Sequence, residues 1–203
     1  MEPRLGPRFD LSTVLMHEFR RTSLALNEFC LFADHLLAGN VSVEVRLATY
    51  DSYGRFIHHL FEFYKGCIET DGPTTTKKTG DEFDRIVQFE TVKLMRNRAD
   101  RIARGDGVSW DNAESYYREE IPPAFARDFR SARNQLAHVS VERADPFGCI
   151  SLPDFYVLYH RFVILLYEEA YWLWHAKDEA SVDWKEIGRF GDAVKLHRRT
   201  RNA

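Results

Sequence analysis

With 203 residues, 44% of them hydrophobic, the chain is long enough for one sizeable domain with its own core, whereas two domains would each be small. A formal net charge of −3 argues against wholesale adhesion to nucleic acid or anionic membrane and confines any RNA contact to one local face. Three scattered cysteines (Cys30, Cys67, Cys149) without Cys-x-x-Cys spacing signal neither a disulfide framework nor a zinc site, and no apolar run reaches membrane-spanning length. The expectation is a soluble, cytoplasmic protein with no membrane partner.

In chain order, Leu15, Phe19, Thr22, Leu26, Phe29, Ala33 and Leu36 alternate steps of four and three, which predicts a long amphipathic helix from about Leu11 to Leu37, stopped by Gly39-Asn40. Only Thr22 departs from the apolar pattern. A second helix is predicted from about Val43 to Cys67, with Val45, Ala48, Ser52, Phe56, Leu60 and Phe63 on one side. Residues 70–80, rich in threonine, lysine, proline and glycine, read as an exposed loop. A third helix, about Asp81 to Arg104, opens on acidic residues and closes on Arg98, Arg101 and Arg104, as the helix dipole favours. The stretch from Gly105 to Pro123, containing Trp110, Tyr116 and Tyr117, reads as irregular and folded back on the bundle. A fourth helix starts near Pro122-Pro123 and turns Phe125, Phe129, Ala132 and Leu136 to the core, with Arg127, Arg130 and Asn134 opposite and Arg133 at the edge. A fifth, about Pro153 to Lys177, is apolar almost all round (Phe155, Leu158, Phe162, Leu165, Leu166, Trp172, Leu173), as expected of a helix buried centrally or in a dimer interface. Strand signals are nearly absent. The reading is all-α: an up-and-down antiparallel bundle of four to five helices in one domain over residues 1–178, followed by a loosely held basic tail over residues 179–203.

The chemistry-bearing stretch is Arg133-Asn134-Gln135-Leu136-Ala137-His138 at the end of the fourth helix. Chance would place roughly 0.02–0.03 runs of Arg-Asn-x-x-x-His in a chain of this makeup, so the spacing carries information that a lone Arg/His pair would not. An imidazole that exchanges protons near neutral pH and a permanently charged guanidinium suffice for RNA cleavage without a metal. In an unbroken helix, however, residues five apart diverge by about 140°, so the two can share one phosphate only if the helix loosens before His138.

In its helical architecture and this motif the chain resembles the HEPN superfamily of helical ribonucleases and toxins. The resemblance spans roughly residues 11–177, and its specific part is the six residues from Arg133 to His138. It implies a metal-independent endoribonuclease with no cofactor, in a stress-response, toxin or phage-defence setting. His138 would remove the 2′-hydroxyl proton, Arg133 would stabilise charge on the phosphoryl oxygens, and Asn134 would orient the histidine or the phosphate. The products would be a 2′,3′-cyclic phosphate and a 5′-hydroxyl. It further implies a C2 homodimer with a composite cleft, and leaves room for a cognate inhibitor or antitoxin. One toxin subgroup carries a tyrosine two positions after the histidine, where a partner enzyme modifies it. Ser140 stands there in this chain, so that form of control is not expected. Arg127, Arg130 and Arg143 are candidates for a rim that holds the RNA backbone, with a solvated helix face as the plain alternative. The alternative from another class is a catalytically silent helical module that binds RNA, a nucleotide or a protein partner as a sensor or regulatory subunit.

Other features lead less far. His58 and His59 are adjacent, so they diverge by about 100° on a helix and cannot chelate one metal; a core or boundary role is the expectation. Glu169 lies on the apolar line of the fifth helix, where a buried carboxylate needs a partner, and Arg133 is one candidate. Tyr171, Trp172 and Trp174 read as core rather than as a base-stacking platform.

Overall fold

The computed structural model describes residues 11–70, 78–137, 149–175 and 182–201; His138 and Arg143 lie outside the described residues. Among the described residues every regular element is an α-helix: α1 (Leu11–Leu37), α2 (Val43–Thr70), α3 (Gly80–Ala103), α4 (Glu114–Arg118), α5 (Phe125–Ala137), α6 (Leu152–Trp174) and α7 (Lys185–Arg201). The all-helical reading holds. Among the described residues there are seven helices, two more than the upper end of the four or five expected from sequence, because α4 is a single turn inside the irregular stretch and α7 occupies the predicted tail.

Helices α1 and α2 form an antiparallel hairpin that makes the most extensive helix contact in the molecule. The reversal is made by Gly39 at φ 87°: its N–H donates to Leu36 O at 3.0 Å, and Asn40 N–H donates to His35 O at 2.9 Å, which satisfies the last carbonyls of α1. Gly105, at φ 82°, ends α3 in the same way, with bonds to Ile102 and from Asp106 to Arg101. Thr22 fits the buried seam of α1 because its hydroxyl donates to Glu18 O at 2.8 Å, so no polar group is left unpaired inside. Helix α3 opens on a reciprocal cap between Thr79 and Glu82.

The core lies where α2, α3, α5 and α6 meet. Phe56, Leu60, Phe125, Phe129, Phe155, Phe162 and Leu166 are fully buried there, and Leu15, Met16, Phe19, Phe63 and Ala170 form a second cluster against α1. Helix α6 is less enclosed than its composition predicts. Phe155, Phe162, Leu165 and Leu166 are buried, but Leu158, Trp172 and Leu173 are more than half exposed, since the core covers one face of α6. Trp174 alone of the late aromatics is half-buried, edge-on to Phe63 at 5.3 Å. Helix α7 is anchored at its start, where Trp184 packs on His17 at 4.6 Å and the His17 Nε2–H donates to Asp183 O at 3.1 Å. Among the described residues no helix is long and apolar enough to cross a membrane.

The stretch after α3 does fold back, and charge holds it. Asp111 is buried and accepts from Arg98 (2.7 Å), from Arg101 (2.8 Å) and from the Val108 N–H (2.9 Å). Arg98 reaches on to Glu168 of α6 at 3.1 Å and lies over the Tyr117 ring. Burial alone would raise the Asp111 carboxyl, but these donors hold it below the ordinary carboxylate value.

Candidate active site

Helix α5 carries the motif. Its strongly amphipathic sequence buries Phe125, Ala126, Phe129 and Ala132, and this fixes the rotation that leaves Arg133 on the flank and Asn134 in solvent. Leu136 fits the notch left by a missing side chain: a Cβ on Gly54 would lie 2.8 Å from Leu136 Cδ2. Helix α2 therefore comes close to the last turn of α5, and this contact sets the site.

Arg133 does not reach Glu169. Its Nη2 forms an ion pair with Glu62 Oε1 on α2, its Nη1 donates to Asn134 Oδ1 at 3.0 Å, and its Cζ lies over the Phe61 ring at 5.7 Å. Both ion-pair side chains are partly open, 24% exposed for Arg133 and 25% for Glu62. A guanidinium has five N–H groups, so terminal donors remain here without a partner among the described residues. Asn134 thus orients the arginine. Glu169 is half-buried and has no salt-bridge partner among the described residues.

The next turn of α2 adds an imidazole that the motif does not contain. His58 is half-buried, four residues before Glu62 on the same helix face, and makes an edge contact with the His59 ring at 5.2 Å. His59 pairs with Glu18 on α1 at 2.8 Å while its ring stays in edge contact with that of His58. Burial holds His58 below the ordinary imidazole value, helped by the charges of His59 and Arg133 and opposed by Glu62 and Glu18. His160 is depressed further, to about 4, by burial. It faces Tyr53, with Nδ1 3.2 Å from the hydroxyl, in a separate aromatic group.

The rim candidates separate. Arg130 is held in two-pronged fashion by Asp84 of α3, at 3.0 and 2.7 Å, so its charge is neutralised in place. Arg127 is exposed, next to Asp128 at 3.2 Å. His138 and Arg143 lie outside the described residues, and His138 follows the last residue of α5 directly in the chain. A cleft of about 590 Å³ between α2, α3 and α6, walled by Phe63, Leu166 and Trp174, lies apart from the motif. Among the described residues, no group of three or more His, Cys, Asp or Glu side chains could hold a metal ion.

Arg133 and Asn134, which the motif singles out, lie side by side on α5; Glu62 is not singled out by the sequence, and His58, read there as a core or boundary residue, is half-buried. The available signal for Glu62 was its position on α2, beside Phe61 and off the apolar seam. Compared with known proteins, the chain matches no family model, no curated protein and no solved structure.

Proposed function

We propose that the chain is a metal-independent endoribonuclease. The observation that carries this reading is Arg133: a guanidinium held in place from beneath by Glu62, Asn134 and Phe61, half-open to solvent, with terminal N–H groups to spare, at the end of the helix that leads into His138. A fixed cation with free donors suits the charge that builds on phosphoryl oxygens during attack by the 2′-hydroxyl. DNA lacks that hydroxyl, which makes RNA the substrate class. Arg133 stabilises the charge and His138 exchanges protons with the substrate, giving a 2′,3′-cyclic phosphate and a 5′-hydroxyl. Two copies of the motif meeting across a two-fold axis would form the composite cleft.

The test uses labelled single-stranded RNA in EDTA. Cleavage by the wild-type chain, lost in both Arg133→Ala and His138→Ala while helix content is retained, supports the reading. Absence of wild-type cleavage across a panel of RNAs removes it. The Glu62 carboxylate, which neutralises part of the Arg133 charge at rest, favours a second reading, a catalytically silent module. A chain that shifts RNA in a salt-dependent way but never cuts it would be that module.

A further inference from the structure

The ends of α3 and α6 bring together side chains that the motif does not use. Arg101 and Arg104, from the last turn and cap of α3, share a cleft of about 450 Å³ with Glu169 and Trp172 of α6, and Leu94 and Leu165 complete its apolar lining. Each pair is three residues apart on its helix, so its members turn to the same side. Trp172 also lines a second cleft, of about 390 Å³, together with Trp110. Trp110 directly precedes Asp111, whose ion pair with Arg98 at 2.7 Å continues to Glu168 at 3.1 Å and ties this stretch to α6. The sequence reads Trp172 as core, yet Trp172 is 58% exposed and Trp110 64%. Large rings left open side by side at one end of a bundle mark a surface that meets a partner.

The charges around them are not all spent. Arg98 is closed by Asp111 and Glu168. Arg101 gives Nη2 to Asp111 at 2.8 Å, and its Nη1 has no partner among the described residues. Arg104 is 66% exposed and among the described residues has only Asp106 beside it, at 3.5 Å. Glu169, half-buried, has no salt-bridge partner among them.

We propose that the two clefts hold single-stranded RNA: one base stacks on Trp172 with its phosphate at Arg101 and Arg104, and the next base enters the cleft of Trp110. The proposal rests on the RNA substrate class of the endoribonuclease reading but not on its chemistry. A ring that lines two neighbouring clefts suits stacking by successive bases, since every base has a π face, while guanidinium groups follow the backbone. Glu169 adds selectivity. An ionised carboxylate only accepts hydrogen bonds, and guanine alone of the four bases offers a ring N–H and an amino group side by side, so guanine is the base for the Trp172 cleft. A purely apolar partner would leave Arg104 and Glu169 unanswered, and a bare phosphate would leave both rings unused.

The experiment measures binding of labelled 2′-O-methyl RNA hexamers, which cannot be cut by 2′-hydroxyl attack, to the full chain by fluorescence anisotropy. A hexamer with a central guanine should bind, and inosine in its place, which lacks the amino group, should weaken binding about 10-fold. Trp172→Ala should weaken it about 10-fold or more, while Trp172→Tyr keeps most of it. Arg104→Ala should lower the slope of log affinity against log salt by about 0.7. Glu169→Gln should bind the guanine and inosine hexamers alike. Wild-type affinity in Trp172→Ala together with a wild-type salt slope in Arg104→Ala overturns the proposal. So does binding of GMP as tight as that of the hexamer, which would make the site one for free nucleotides. RNA cutting without any of these effects leaves the nuclease reading standing and removes this site, whereas all of them in a chain that never cuts keep the site and remove the nuclease.

Discussion

Two arginines on different helices are built from the same parts and end in opposite states. Arg98 on α3 and Arg133 on α5 each lie 5.7 Å over an aromatic ring and each pair with a carboxylate. Around Arg98 the partners close on one another: Asp111 takes Arg98, Arg101 and a backbone N–H, Glu168 takes what is left, and the arginine side chain is 8% exposed. Around Arg133 the described residues supply one carboxylate and one neighbouring amide, and the side chain stays partly open. A guanidinium with its donors answered is fixed in the fold, and one with terminal donors to spare is open to a further partner. Burial and partner count, rather than residue type, tell the two apart.

The largest expected effect comes from opening the closed network. Replacing Asp111 with Ala leaves Arg98 and Arg101 facing each other without their shared anion, and breaking a buried pair this way costs about 3–5 kcal/mol. Thermal unfolding should register that loss while RNA cleavage at low temperature, with RNA in excess, keeps its wild-type rate. The same carboxylate makes the contrast pH-dependent. Its folded value is held below the ordinary one, so its stabilisation is present above the ordinary carboxylate range and is lost as pH falls through the folded value. Below about pH 4, the melting temperature of Asp111→Asn should fall less steeply than that of wild type. Arg133→Ala should reverse the pattern. Cleavage drops by about 10²–10³-fold, as when one preorganised donor is removed from a transition state, while stability changes by no more than about 1 kcal/mol. Equal losses of stability in Asp111→Ala and Arg133→Ala would erase the distinction between the two arginines.

The sequence exposes these regions unequally. Helices α1, α2, α3 and α5 are legible because long runs of apolar residues at steps of three and four face one core, and Gly39 and Gly105 mark two of the ends. Helix α4 is too short to show a period. Helix α7 was hidden because its apolar residues are few and its charges suggest a tail, although Trp184 anchors it against His17. In the site, Arg133 and Asn134 announce themselves as a local motif. Glu62 does not, since its place beside Arg133 depends on which face of α2 meets α5. That choice is made by Gly54 against Leu136, a contact between residues more than eighty positions apart.

Gly54 therefore offers a way to disturb the open site without touching its charges. An added Cβ would stand 2.8 Å from Leu136 Cδ2, and the leucine must turn or α5 must move outward. Gly54→Ala should cost about 1–3 kcal/mol by overpacking. It should also lower cleavage by shifting Arg133. Restoring room with Leu136→Ala in the same chain should recover much of the activity, which a general loss of stability would not allow. Full activity in Gly54→Ala would show that the close approach of α2 and α5 does not set the site.

The smallest change sharpens the comparison most. Glu62→Gln keeps the shape of the side chain and removes its charge, and a half-exposed pair of this kind contributes about 1 kcal/mol or less, so melting should barely move. Its chemical effect has a definite sign. Salt-dependent RNA binding should tighten because Arg133 loses its resting counter-charge. At Asp111 the corresponding loss of charge removes the anion shared by a buried and a partly exposed arginine, whereas at Glu62 it would remove the resting counter-charge of one partly open arginine. Unchanged binding would mean that Arg133 does not meet the RNA, and the open arginine would then belong with the closed one.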